Sequence, residues 1–374
     1  MKFIVSSSSL LSHLQIVGRV IASKNSLPIL DCFLFELQEQ TLHITAADAE
    51  TRMLTSIDVS GVEGSGLVAI PARNLLDSLK ELPDQPVVFD INEENLEIKV
   101  SYENGKCNFM AQKGEEYPQA KVLSETATQL SMAASTLLSG ISRTIFASAD
   151  DELRPVMNGV FFDITTENIT IVASDGHMMV RYKALAAQGT EKASFILPKK
   201  PANLLKNILP KEAGDVSIAF DESNAYIKLD NFFLICRLVE GRYPNYNAVI
   251  PVDNPYKVSV DRQLFLNALK RVSVFSNSAT SLIKLDISSQ EILISAQDID
   301  FSTSASETVS CINQGQEMII GFKGTDLINI FNNIPSSEAV FELADASRAG
   351  LILPSENEAS EDLLMLLMPM MLND

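Results

Sequence analysis

The 374 residues are 46% hydrophobic and carry a formal net charge of −19, which describes a soluble chain long enough for two or three domains. So acidic a chain, taken globally, is repelled by nucleic acid unless its basic residues gather on one surface. Four serines interrupt the N-terminal MKFIVSSSSLL, so it lacks a signal-peptide core, and the longest apolar run, LLMLLMPMML, falls short of the about 20 residues that cross a membrane.

A cytoplasmic protein with no membrane partner is the expectation. Cys32, Cys107, Cys236 and Cys311 lie far apart with no CxxC spacing, which reads as buried, reduced thiols. With only three scattered histidines, neither a metal site nor a cofactor is expected.

The first element is an amphipathic helix over 8–24, with Leu10, Leu14, Val17 and Ile21 on one face. A strand hairpin follows, in which LHITAAD ends at Asp48. A second helix over 71–81 lies in AIPARNLLDSLKELP and is stopped by Pro83. Strands such as VVFDINEENLEIKV close the unit, and EEYP ends it at Pro118.

The order then begins again. A helix over 135–149 presents Leu138, Ile141 and Ile145. VFFDITTENITIVAS is a hairpin turning at TEN, ITIVASD ends at Asp175, a helix over 198–211 runs to Pro210, and GRYP ends at Pro244. The third pass has a helix over 260–277 with Phe265, Leu269 and Val272, then ILISAQD ending at Asp298. Its second helix, over 322–333, presents Leu327, Ile330, Phe331 and Ile334 and meets Pro335; LLMP ends at Pro369.

The aspartate marker recurs at spacings of 127 and 123, the helix-stopping proline at 127 and 125, and the closing proline at 126 and 125. That period exceeds the about 20–50 residues of a solenoid repeat and matches a small domain. The predicted fold is α+β, with three tandem domains at 1–122, 128–248 and 253–374, each holding two helices and antiparallel sheet. Polar, proline-bearing linkers lie near 119–128 and 245–254.

The charge is not spread evenly over these elements. The six predicted helices carry thirteen Lys and Arg against four Asp and Glu, a surplus of nine, which leaves −28 on everything else. Glu forms helices as well as Lys does, so its scarcity there is not a matter of propensity. The segregation suits one surface made for an anion, with duplex nucleic acid the natural candidate, and another kept repulsive.

Ser174, Asp175 and His177 are the residue types of a nucleophilic triad, set within four positions. Neighbours on a strand point to opposite faces, however, and Asp175 has counterparts in Asp48 and Asp298 whose surroundings lack Ser, Gly and His. Asp175-Gly176 is therefore expected to be a hairpin turn. The second repeat adds Gly176, His177, Met178 and Met179, a specialisation for binding. There is no GxGxxG, P-loop or HExxH. The pairs Glu115–Glu116 and Asp150–Asp151 read as solvated loop charge. The C-terminal stretch carries Met365, Met368, Met370 and Met371; methionine adapts to varied partners, so this end and the Met-flanked turn are expected to line one apolar groove.

Three tandem α+β domains, PARNLLDSLKELP, RPVMNGVFF, VASDGHMMVRY, LVEGRYPNYNAVIP and the terminal LMPMML together resemble the β-subunit family of bacterial DNA polymerase III, the replicative sliding clamps. The resemblance runs nearly end to end. It implies a head-to-tail homodimeric ring of six domains, with helices lining the hole and strands forming the rim. It further implies a non-enzymatic processivity factor that encircles double-stranded DNA without sequence preference. The implied partners are the replicative DNA polymerase, the clamp loader and repair polymerases, held through short peptides in an apolar pocket.

By motif position that pocket takes Met157, Ser174, Gly176, His177, Met178, Met179, Pro244, Val249, Leu366, Met368, Pro369, Met370, Met371 and Leu372. Positions that are often Arg in the family read Met178, Ala248 and Met371, which implies a rim that is less basic and more apolar. The DNA-facing residues implied are Lys24, Arg73, Lys80, Arg154, Lys199, Lys200 and Lys206. The dimer contact implied sets Cys107 and Phe109 against Val274 and Phe275. Asn373 and Asp374 run past the family's usual end. Two rival readings are an enzyme using His177 and a three-domain interaction scaffold with no DNA role.

Overall fold

The computed structural model describes residues 1–372; Asn373 and Asp374 lie outside the described residues. Contacts divide the chain into two compact units, Met1–Ser135 with Asn203–Leu238, and Thr136–Ala202 with Val239–Asp374. The middle repeat is thus shared between the units, because its strands extend the sheets of the repeats on either side. In the first unit Phe232–Arg237 pairs antiparallel with Thr51–Asp58, completing a nine-stranded sheet. In the second, Met178–Ala184 pairs antiparallel with Glu361–Leu367, from Met178 opposite Leu367 to Ala184 opposite Glu361, within a twelve-stranded sheet. A five-stranded sheet, with Gly105–Met110 at one edge, belongs to the first unit.

The six predicted helices appear as α1 (Ser7–Val17), α2 (Ala72–Lys80), α3 (Ala134–Thr144), α4 (Lys199–Ile208), α5 (Arg262–Ser273) and α6 (Gly324–Asn333). Caps explain two of the starts. The Ser6 side chain accepts from the Ser9 N–H ahead of α1, and Asp261 does the same for Leu264 ahead of α5. α1 is shorter than its pattern. It tightens into a 3-10 turn at Gly18–Val20, so Ile21 falls outside the helix and is only half-buried. In the α3 stripe Ile141 and Ile145 are buried as expected, but the first inward residue is Leu137, fully buried, and not its half-buried neighbour Leu138.

The cores follow the repeat. In the second unit Phe265 of α5 stacks on Phe331 of α6 with ring centroids 4.6 Å apart, and Phe341 closes the cluster at 5.5 Å from each. All three are completely buried, and each buried Phe contributes about 2–3 kcal/mol of transfer free energy. Leu10 and Leu14 of α1 with Leu75 and Leu79 of α2 hold the corresponding inward positions in the first unit.

Candidate functional site

The turn joining Ile169–Ser174 to Met178–Ala184 is built by the residues that resemble a triad. The Asp175 carboxylate Oδ1 accepts from the backbone N–H of His177 at 2.8 Å and of Met178 at 2.7 Å. The Ser174 hydroxyl donates to the Met178 carbonyl at 2.8 Å and accepts from the Gly176 N–H at 3.1 Å. Gly176 sits at φ +94, a conformation that side chains resist. With its one hydroxyl proton committed to a carbonyl, Ser174 is not a nucleophile oriented by His177.

The same turn stands at the other two markers. Asp48 accepts from Glu50 and Thr51, and Asp298 from Asp300 and Phe301. Three aspartates one repeat apart make one Asx turn, as the sequence comparison expects.

The C-terminal strand lies against this turn. Leu367 is opposite Met178 and Leu366 opposite Met179, and one further bond runs from the Met368 N–H to the His177 carbonyl at 2.8 Å. Beneath, Met179, Leu366, Tyr243 and Tyr246 share one buried cluster with Val172, Ile196, Leu351 and Leu364, and Val156 and Ile250 pack on it. Phe161 stacks on Tyr243 at 4.6 Å, and the Tyr246 hydroxyl donates to Asp163 Oδ2 at 2.7 Å. Burial pushes both phenols up. Tyr246 reaches about 12, with its bond to Asp163 as a second cause.

Pro244 and Val249 flank Tyr243, Tyr246 and Ile250 and are exposed, as are His177, Met368 and Met371. Met157 is buried nearby in the turn Pro155–Met157. Met178 departs from the implied rim: its side chain is 3% exposed and points into the core. Met370 and Leu372 depart in another way. The Met370 N–H donates to the Gly321 carbonyl, on the strand Met318–Lys323, and Leu372 lines a groove of about 890 Å³ with Asn277, Leu282 and Lys284 that none of the other thirteen residues reaches.

Arg154 is the largest surprise. Its Nη2 donates to the Asp175 carbonyl at 3.1 Å, and its Nε to Asp151 Oδ2 at 2.8 Å. A Cβ on Gly176 would stand 2.7 Å from its Nη1. The residue assigned to DNA by resemblance is therefore folded over the turn, and it gives the apolar rim a cation. Asp151, read as solvated charge, is its partner, and the Arg154 hydrogen bond holds that carboxyl below the usual range. The sequence signal was the i,i+3 spacing of Asp151 and Arg154. Tyr243 and Tyr246, absent from the expected site, follow from their places beside Pro244 in the GRYPNY stretch.

The other expected DNA residues have mixed fates. Lys24 and Lys206 are exposed and carry no ion pair among the described residues. Arg73 and Lys80 share Asp77, at 3.9 and 3.2 Å. Lys199 holds Asp150 at 2.8 Å, while Asp150 itself stays solvated as expected, its side chain 84% exposed. Lys200 follows Lys199 as the second residue of α4 and is half-buried. Part of the helix surplus is spent internally: Arg143 pairs with buried Glu361, Arg262 donates to two carbonyls, and Arg271 pairs with Glu307.

Of the expected dimer residues, Cys107 and Phe109 are half-buried on the edge strand Gly105–Met110, and Val274 and Phe275 are exposed just past α5. The four cysteines are free. Burial pushes the Cys236 thiol to about 12 and Cys32 to about 11, which removes them as nucleophiles at neutral pH.

The chain matches the DNA polymerase III beta subunit family in three consecutive parts: the N-terminal domain over residues 1–121, the central domain over 131–245 and the C-terminal domain over 247–370. It is 25% identical to the beta sliding clamp of Vibrio cholerae over 372 residues, covering 100% of both chains. To that of Pseudomonas aeruginosa it is 27% identical over 367 residues, covering 98% of this chain and 99% of the relative. Among solved structures, the P. aeruginosa sliding clamp bound to griselimycin superposes with a TM-score of 0.94 at 26% identity, and the Bartonella birtlesii clamp bound to griselimycin with 0.93 at 27%, each covering 100% of both chains. Family, repeat and fold coincide over the chain's whole length, and the chain belongs to the DNA polymerase III beta subunit family, the sliding clamps of DNA replication.

Proposed function

We propose that two copies close head to tail around duplex DNA, with clamp domains at 1–122, 128–248 and 253–374, and tether DNA polymerase and other partners through the pocket at the Asp175 turn. The mechanism is topological: escape from DNA requires opening the ring, while weak phosphate contacts let it slide. Lys24, Arg73, Lys80, Lys199, Lys200 and Lys206 supply those contacts. A tethered polymerase meets the primer end at high effective concentration. The chain works in the cytoplasm, and a separate ATP-driven loader opens it. No helix among the described residues is long and apolar enough to cross a membrane.

The observation that carries this reading is the charge segregation, nine basic residues against two acidic ones in the six helices of a chain of net charge −19. A scaffold with no DNA role leaves it unexplained. A head-to-tail contact that closes makes a ring. The seam has suitable halves. Gly105–Met110 is an edge strand, and on the second unit Ile299 (79% exposed) and Phe301 (76%) join Val274 and Phe275. Asn277 ties them together, donating to Asp298 and Asp300 on the turn that carries Ile299 and Phe301. Exposed apolar side chains in such number mark an interface.

The pocket takes a short peptide with apolar side chains over Met179, Leu366 and Tyr243, between His177 and Met368, and Arg154 meets a peptide acceptor at the rim. Griselimycin, bound by the related clamps, is proposed to occupy the same place. Long-product DNA synthesis on a primed circle tests the function. Stimulation that disappears when the circle is cut fits a clamp; equal stimulation on linear template contradicts it.

A further inference from the structure

We infer that Gly321 is a positioning residue, which docks the C-terminal segment as a wall of the partner pocket; the inference rests on the pocket reading above. The segment leaves its strand at Leu367. Met368 makes one last bond to the His177 carbonyl, at 2.8 Å. Pro369 has no N–H and cannot continue the ladder. The chain then reaches a different strand: the Met370 N–H donates to the Gly321 carbonyl at 2.8 Å, forming an isolated antiparallel bridge.

Gly321 lies in Met318–Lys323, the last strand in the twelve-strand order and well removed in that order from Glu361–Leu367. The segment 368–372, which carries the exposed wall residues Met368 and Met371, is thus held by two backbone bonds, one on each side of Pro369.

Glycine within a strand marks a close approach of another backbone. Gly321 is not at positive φ, so conformation does not demand it. Space does. A Cβ there would stand 2.7 Å from the Met370 carbonyl oxygen, 2.8 Å from Leu372 Cδ2 and 3.1 Å from Leu282 Cδ1. The first of these is backbone and cannot rotate away, so any side chain at 321 lifts the segment from its second anchor and moves Met368 and Met371, the exposed residues on either side of that anchor, off the pocket.

The test compares Gly321→Ala, Gly321→Val, a chain ending at Pro369, and Gly321→Val in that shortened chain. Griselimycin affinity is measured by calorimetry and amide hydrogen exchange at Met370 by mass spectrometry. Gly321→Val is expected to lose Met370 protection and weaken griselimycin about tenfold or more, with Gly321→Ala intermediate. In the shortened chain Gly321→Val should add nothing further, because the segment it displaces is gone; a merely structural glycine would weaken both backgrounds alike. Affinity unchanged in Gly321→Ala and Gly321→Val while shortening destroys it overturns the role of Gly321 alone. Affinity unchanged on shortening overturns the pocket reading on which it rests.

Discussion

Arg154 and Asp175 are joined across 21 residues of sequence by a hydrogen bond from the guanidinium Nη2 to the turn carbonyl at 3.1 Å. Asp151 fixes the other side of the same guanidinium, so the cation stands over Gly176 in one orientation. A charged donor held in place before a ligand arrives loses little entropy on binding. Arg154→Ala is expected to weaken griselimycin about tenfold, and Asp151→Asn by less, with solution mass and sliding unaltered. A loss of DNA retention with unchanged griselimycin affinity would return Arg154 to the DNA surface.

A second prediction concerns the buried pair of Arg143 on α3 and Glu361 at the start of the final strand, where the Glu361 side chain is 4% exposed. Removing one partner strands the other charge away from water. Glu361→Ala should cost about 3–5 kcal/mol in urea unfolding, and Glu361→Gln, which keeps an acceptor, clearly less. Equal small losses in both variants would show that the pair is not desolvated.

The buried thiol of Cys236 gives a pH prediction. Burial raises it from 9.0 to about 12, so the folded chain keeps a proton that the unfolded chain begins to release near pH 9. The unfolded state then binds fewer protons, and stability, fully present below pH 9, falls as pH rises toward about 12. Denaturant midpoints for wild type and Cys236→Ala should converge over that window. A constant separation would mean that the thiol titrates alike in both states.

The proposed seam predicts a mass change. Ile299 and Phe301 are exposed apolar residues with nothing to cover them in one chain. Light scattering at micromolar concentration should give twice the 40.9 kDa of the chain for wild type and one chain's mass for Phe301→Asp. A wild-type monomer would contradict the seam.

Much of this was legible in the sequence because it repeats. The Asx turns at Asp48, Asp175 and Asp298 are local: each aspartate satisfies N–H groups two and three residues on, so one short motif reports the geometry three times. The helices were legible for the same reason, within a residue or two at their starts. The first member of the α3 stripe was not, because Leu137 and Leu138 are both apolar, lie four and three residues before Ile141, and periodicity cannot choose between them. Arg154 and Gly321 were missed for a deeper reason. What defines Arg154 is a carbonyl 21 residues away, and what defines Gly321 is a backbone 49 residues away. Neither leaves a local pattern. The division of the middle repeat between two units is likewise set by strand pairing between repeats, such as Met178 with Leu367.

The account stands most directly on topological retention. The chain, loaded by an ATP-driven loader onto nicked circular duplex and separated from free protein, should stay with the circle through a wash at moderate salt. It should run off within minutes of a single restriction cut. Equal retention on circle and cut DNA, or equal loss from both, would contradict encirclement.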